Sequence, residues 1–115
     1  SESMDRAAMI YLWKKDASKV SSLIAEELKT CEKAEDRLFW RAVDFFNAGG
    51  KAAEFDAAFA EDKLDSKAKL LALRRVSELF YRAKRYDVCH DIFPERPCIM
   101  TGTPWKQDLC LMEIP

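Results

Sequence analysis

Leu64 to Asp87, LDSKAKLLALRRVSELFYRAKRYD, is the longest stretch free of Gly and Pro in which apolar and charged residues sort onto helical faces. Leu64, Ala68, Leu71, Ala72, Val76, Leu79, Phe80 and Ala83 recur at spacings of three and four, with Leu70 and Leu73 widening the stripe. That period belongs to a helix buried along much of its circumference. The opposite face carries Lys67, Arg74, Arg82 and Arg85. Asp62 or Asp65 is placed to cap the start, and Asp65–Lys69 and Glu78–Arg82 are i,i+4 pairs in the favourable orientation.

Upstream of this stretch the same pattern recurs. Met4 to Lys15 reads as a first helix, with Met4, Ala8, Tyr11 and Leu12 on one side, and Ile10 and Trp13 extending the apolar surface. Lys14 and Lys15 sit at its carboxyl end, where positive charge is favoured. Asp16 is a candidate N-cap for the next helix. From Val20 to Phe46 the apolar positions keep phase without a Gly or Pro, up to the Gly49-Gly50 pair. This unbroken phase favours one long helix over two meeting near Thr30 to Asp36, although helices beyond about 25 residues are uncommon in small domains. Lys51 to Ala60 reads as a short helix with Ala52, Phe55, Ala58 and Phe59 inward, and then a turn at Glu61-Asp62.

After Asp87 the pattern stops. All four prolines lie from position 94 onward, beside a large apolar load that includes Phe93, Trp105 and Leu109. The reading is a strap over 91–115, laid back across a helical body of 4–90; Ser1 to Ser3 read as residues preceding a natural start at Met4. The expected fold is therefore all-α. It is a single-domain bundle of about four helices, with the two long ones antiparallel and an irregular, Pro-containing C-terminal segment packed across them.

With 115 residues, 49% hydrophobic and 34% charged, the chain can bury a continuous core without a metal or disulfide staple. Its formal net charge of −1 gives no global attraction to nucleic acid or anionic membrane. No apolar run reaches the roughly 18 residues of a membrane span. The four cysteines would allow two disulfides in three connectivities, but Cys31 sits on an apolar helical face as a small hydrophobe would, so reduced thiols in a cytoplasmic protein are expected.

Four features bear on function. Cys89, His90, Cys98 and Cys110 are ligand types that zinc accepts, though adjacent ligands at 89 and 90 and the absence of a C-x₂₋₄-C pair fit no familiar knuckle. Between Lys67 and Arg85 seven residues are basic and one, Glu78, is acidic. Such a face can lie on phosphates through Lys67, Arg74, Arg82, Lys84 and Arg85, or simply be solvated and balanced by Glu26, Glu27, Glu32, Glu35 and Asp36 on a neighbour. The aromatic residues are numerous, and Phe39 beside Trp40 and Phe45 beside Phe46 imply that one of each pair faces away from the stripe. Aromatic residues with arginine on a helix surface are the composition of interface hot spots. Finally, no Ser-His-Asp, Cys-His or Glu-x-x-His constellation and no phosphate loop occurs, so an enzyme is the less expected class and no cofactor is implied.

These features rank three expectations. The first is a non-catalytic protein-binding module, an adaptor, regulator or inhibitor of a larger partner, able to form a homodimer and using Trp40, Arg41, Phe45, Arg74, Arg82 and Arg85. The second is a nucleic-acid-associated regulator using the basic face, and the third a domain stapled by structural zinc.

Overall fold

In the computed structural model, which describes residues 2–60 and 63–94, the chain is all-α. Six helices occur in order: α1 (Glu2–Trp13), α2 (Ala17–Thr30), α3 (Ala34–Asn47), α4 (Phe55–Ala58), α5 (Ser66–Arg82) and α6 (Tyr86–Ile92). A 3₁₀ turn, Ala52–Glu54, leads into α4. No strand occurs among the described residues. The count exceeds the four expected because both long helices are divided. The C-terminal strap lies outside the described residues, apart from its first four.

The Val20–Phe46 stretch is two helices, not one. The chain turns at Cys31–Lys33 without Gly or Pro, and a distant side chain explains how. Arg37 Nη1 donates to the carbonyl of Leu28 at 2.8 Å and to that of Cys31 at 3.0 Å. A helix end leaves its last carbonyls without partners, and here one guanidinium from α3 supplies two of the missing donors. Past the break, Glu35 and Asp36 in the first turn of α3 complement its dipole. The two helices then run antiparallel: Asn47 Nδ2 donates to the Ala17 carbonyl at 3.0 Å and Ser21 Oγ to Asp44 Oδ1 at 2.8 Å.

The Leu64–Asp87 stretch divides as well. Asp65 caps α5, accepting from the Ala68 N–H at 2.8 Å, as Asp16 caps α2 through the Lys19 N–H at 3.3 Å. The helix then stops at Arg82 rather than Asp87. Lys84 takes a left-handed conformation, φ +57°, and α6 begins two residues later. Lys84 N–H donates to the Tyr81 carbonyl at 2.9 Å and Arg85 N–H to the Phe80 carbonyl at 2.8 Å. This is a Schellman end, normally built with glycine at the left-handed position. The first helix ends in the same way, at Trp13 rather than Lys15, with Lys15 at φ +57°.

Burial puts the centre of the domain in α3. It contributes Leu38, Phe39, Trp40, Ala42, Val43 and Phe46 to the core. It packs against α2 and α5, while α1 packs against those same two helices and α6 lies on α5. Asp36, near the start of α3, pairs with Arg75. Phe45, near its end, meets Phe59, whose carbonyl takes Lys69 Nζ at the start of α5. The two helices therefore run in opposite senses. Phe45, Phe46, Phe55 and Phe59 form one aromatic cluster with ring centroids 4.6 to 6.2 Å apart. Phe55 is only 1% exposed within it.

Candidate functional site

Of the residues expected at an interface, Trp40 is in the core. It is 3% exposed and meets Phe39 edge-on at 4.6 Å, and Phe39 is equally buried. Facing away from the counted stripe thus does not bring either 39 or 40 to the surface. The reason is that α3 is enclosed by α2 and α5, and its buried arc spans more than one stripe. Phe45 is half-buried in the phenylalanine cluster, and Arg41, itself exposed, stacks its guanidinium 5.0 Å from the Phe59 ring.

The basic face is divided by its partners. Arg75 pairs with Asp36 at 3.0 Å and lies 4.1 Å from the Phe39 centroid. Arg82 pairs with Glu78 at 2.7 Å. Lys69 leaves the expected Asp65 pairing for the Phe59 carbonyl at 3.0 Å. Arg85 is drawn inward, donating to the Leu12 carbonyl at 3.3 Å, lying 5.7 Å from the Phe80 ring and meeting Asp87 at 3.4 Å. Lys67, Arg74 and Lys84 are exposed. Asp36 is one of the neighbouring carboxylates that the solvated reading names, and it pairs with Arg75.

Cys89 and His90 diverge as adjacent residues should. The Cys89 side chain is fully buried and its thiol donates to the Ser77 carbonyl at 3.2 Å, whereas His90 is half-buried. Cys98 and Cys110 lie outside the described residues. Among the described residues no cluster of three or more His, Cys, Asp or Glu side chains could hold a metal ion. No helix there is long and apolar enough to cross a membrane.

The surface that sequence reasoning passes over is on α1. Trp13 is 59% exposed and Ile10 40%. They stand three residues apart, hence on one face, and the same face carries Arg6 and Ala7 beside a hollow of about 420 Å³. Among the described residues Leu71 is the other large apolar side chain in solvent, 49% exposed, although its spacing puts it on the core stripe. Its small neighbours Ala68 and Ala72 leave a groove of about 320 Å³ near Glu35 at the start of α3. The α1 signal is present in the sequence. Met4, Ala8 and Leu12 already supply a complete inward stripe, so Ile10 and Trp13 on the other side are surplus to the core. No protein-family model, curated protein or solved structure matches the chain.

Proposed function

We propose that the chain is a non-catalytic protein-binding module, an adaptor, regulator or inhibitor of a larger protein, which engages its partner through the outer face of α1. The observation that carries this reading is the exposure of Trp13 and Ile10 together on one helix face. Scattered single apolar residues on a surface need no explanation, but a tryptophan and an isoleucine sharing a face mark an interaction site. Tryptophan is also the residue most enriched among interface hot spots. The tryptophan of this interface is thus Trp13 in place of Trp40. Arg85, expected at the interface from sequence, stays beside it through its bond to the Leu12 carbonyl.

The test is photo-crosslinking from position 13 in an extract of the native host, with and without nuclease, using Ile10→Ser as the control variant. A protein crosslinked in both conditions and lost with Ile10→Ser is the expected result. Loss of every crosslinked protein on nuclease treatment would move the function to the nucleic-acid reading. Crosslinking of the chain to itself alone would identify the partner as a second copy.

A further inference from the structure

The left-handed residues at positions 15, 49 and 84, Lys15, Gly49 and Lys84, stand 34 and 35 residues apart, and each closes the first helix of a hairpin. The N–H of each donates to the carbonyl three residues back, and the following N–H to the carbonyl five residues before it. Burial repeats on the same period. Ala8, Ala42 and Ser77, each seven residues before its turn, are small and fully buried, and Val20, Phe55 and Cys89 on the following helices are buried too. An internal period of this length marks a chain assembled from one supersecondary unit, which buries its faces against its neighbours. Here the unit is a pair of helices: α1–α2, α3–α4 and α5–α6. Residues at equal distance from the turn are therefore comparable between units.

The comparison shows what one face of a first helix does. On α3 the stripe Arg37, Trp40, Asp44 and Asn47 meets the second helix of the preceding unit. Arg37 Nη1 donates to the Leu28 carbonyl, Ser21 Oγ to Asp44 and Asn47 Nδ2 to the Ala17 carbonyl. Trp40, within the stripe, is buried. Arg37 reaches the end of α2 and Asn47 its start, so the covering helix runs antiparallel to the stripe. On α1 the places of Trp40, Asp44 and Asn47 fall to Arg6, Ile10 and Trp13, and all three are exposed. The hollow of about 420 Å³ lies along Arg6, Ala7 and Ile10. The face that α2 covers on α3 is thus open on α1, and Ile10 and Trp13 have replaced its two polar residues. The outer face of a repeat unit left in water is ordinarily polar.

Resting on the α1 reading above, we infer that the partner docks an amphipathic α-helix on the Arg6–Ile10–Trp13 stripe, antiparallel to α1, in the place that α2 takes on α3. A helix suits the stripe because residues at spacings of three and four form the ridges and grooves by which helices pack. Its inward face is apolar, since the two positions that bond α2 on α3 are isoleucine and tryptophan on α1. The helix comes from another protein and not from a second copy. Among the described residues the chain's long second helix, α2, is already held between α1 and α3. The other two, α4 and α6, are four and seven residues long, shorter than the stripe from Arg6 to Trp13.

The test uses the whole chain and two fluorescein-labelled peptides read by anisotropy. One is a stapled helix with leucines at spacings of three and four. The other keeps the staple and composition but disperses the leucines around the helix. Binding of the first alone is expected. Trp13→Ala should weaken it about thirtyfold and Ile10→Ser about tenfold, as for residues at the centre of an interface. Both side chains are exposed, so the melting temperatures should stay close to that of the parent. Leu71→Ser, at an exposed leucine on another helix, should leave binding as it is. Failure of the helical peptide to bind, equal binding of the dispersed one, or equal loss with Leu71→Ser and Trp13→Ala would each overturn the inference. So would a dimer in sedimentation that dissociates with Trp13→Ala, since a second copy would then occupy the stripe. Crosslinking from position 13 to another protein that persists when the helical peptide fails would leave the protein-binding reading standing and remove only the helix.

Discussion

Two kinds of helix end in the domain solve the same backbone problem with different materials. Where α3 ends, the turn is glycine and everything near it is aromatic: Gly50 lies under the Phe45 ring, which meets Phe46, Phe55 and Phe59. Where α1 and α5 end, the left-handed residue is lysine, and Trp13 stands exposed at the first of these ends. The first end is built for packing, since glycine permits a close approach that no side chain would allow. The second accepts local strain and leaves its apolar side chain in water. The α2–α3 break is a third solution, with no left-handed residue and the carbonyls tied by Arg37.

The contrast breaks most visibly at the packed end. Phe55→Ala removes a ring that is 1% exposed and in contact with three others, and should cost about 3–5 kcal/mol by chemical denaturation. The same truncation at Trp13 should change stability by less than about 0.5 kcal/mol, because that ring is already largely solvated. Gly50→Ala comes next. An added Cβ would stand 2.5 Å from Phe45 Cζ, and the ring cannot retreat freely because its neighbours are rings too. About 1–3 kcal/mol of overpacking is expected, with a matching drop in melting temperature.

What can be read from the sequence divides along the same line. Local chemistry is legible: the caps at Asp16 and Asp65, the Glu78–Arg82 pair and the all-α character all rest on residues within a few positions of one another. Features made by distant residues are not. The break at Cys31–Lys33 needs Arg37 folded back onto α2, and nothing in the local pattern encodes that as a stop. The turns at Lys15 and Lys84 carry no glycine signal, so the helical pattern reads through or past them. A stripe counted on one helix puts Trp40 at the surface, when neighbours on more than one side decide its burial. The exposed face of α1 is within reach, since the inward stripe of that helix is complete without Ile10 and Trp13.

Arg37→Ala probes the α2–α3 break. It leaves the Leu28 and Cys31 carbonyls to solvent, and because both bonds lie at an exposed site the loss should be about 1–2 kcal/mol. Hydrogen exchange should rise selectively in the last turn of α2, while the caps at Asp16 and Asp65 keep their protection.

The last effect has the opposite sign. Lys84→Gly relieves a left-handed residue, a gain of about 1–2 kcal/mol, but loosens the unfolded chain by about 0.4–1 kcal/mol. A net stabilisation of about 0.5–1 kcal/mol should remain, and Lys15→Gly should behave alike. The reciprocal change, Gly49→Lys, imposes the same conformation on a residue with a Cβ and should lose a similar amount, with open space around the new side chain and hence no added clash. The triple variant Lys15→Gly, Lys84→Gly, Gly49→Lys sets two gains against one loss, so a net stabilisation of about 0.5–1 kcal/mol should remain if the three turns act independently. A triple variant that melts no higher than the parent would show instead that the lysine side chains hold their turns by contacts that offset the backbone strain.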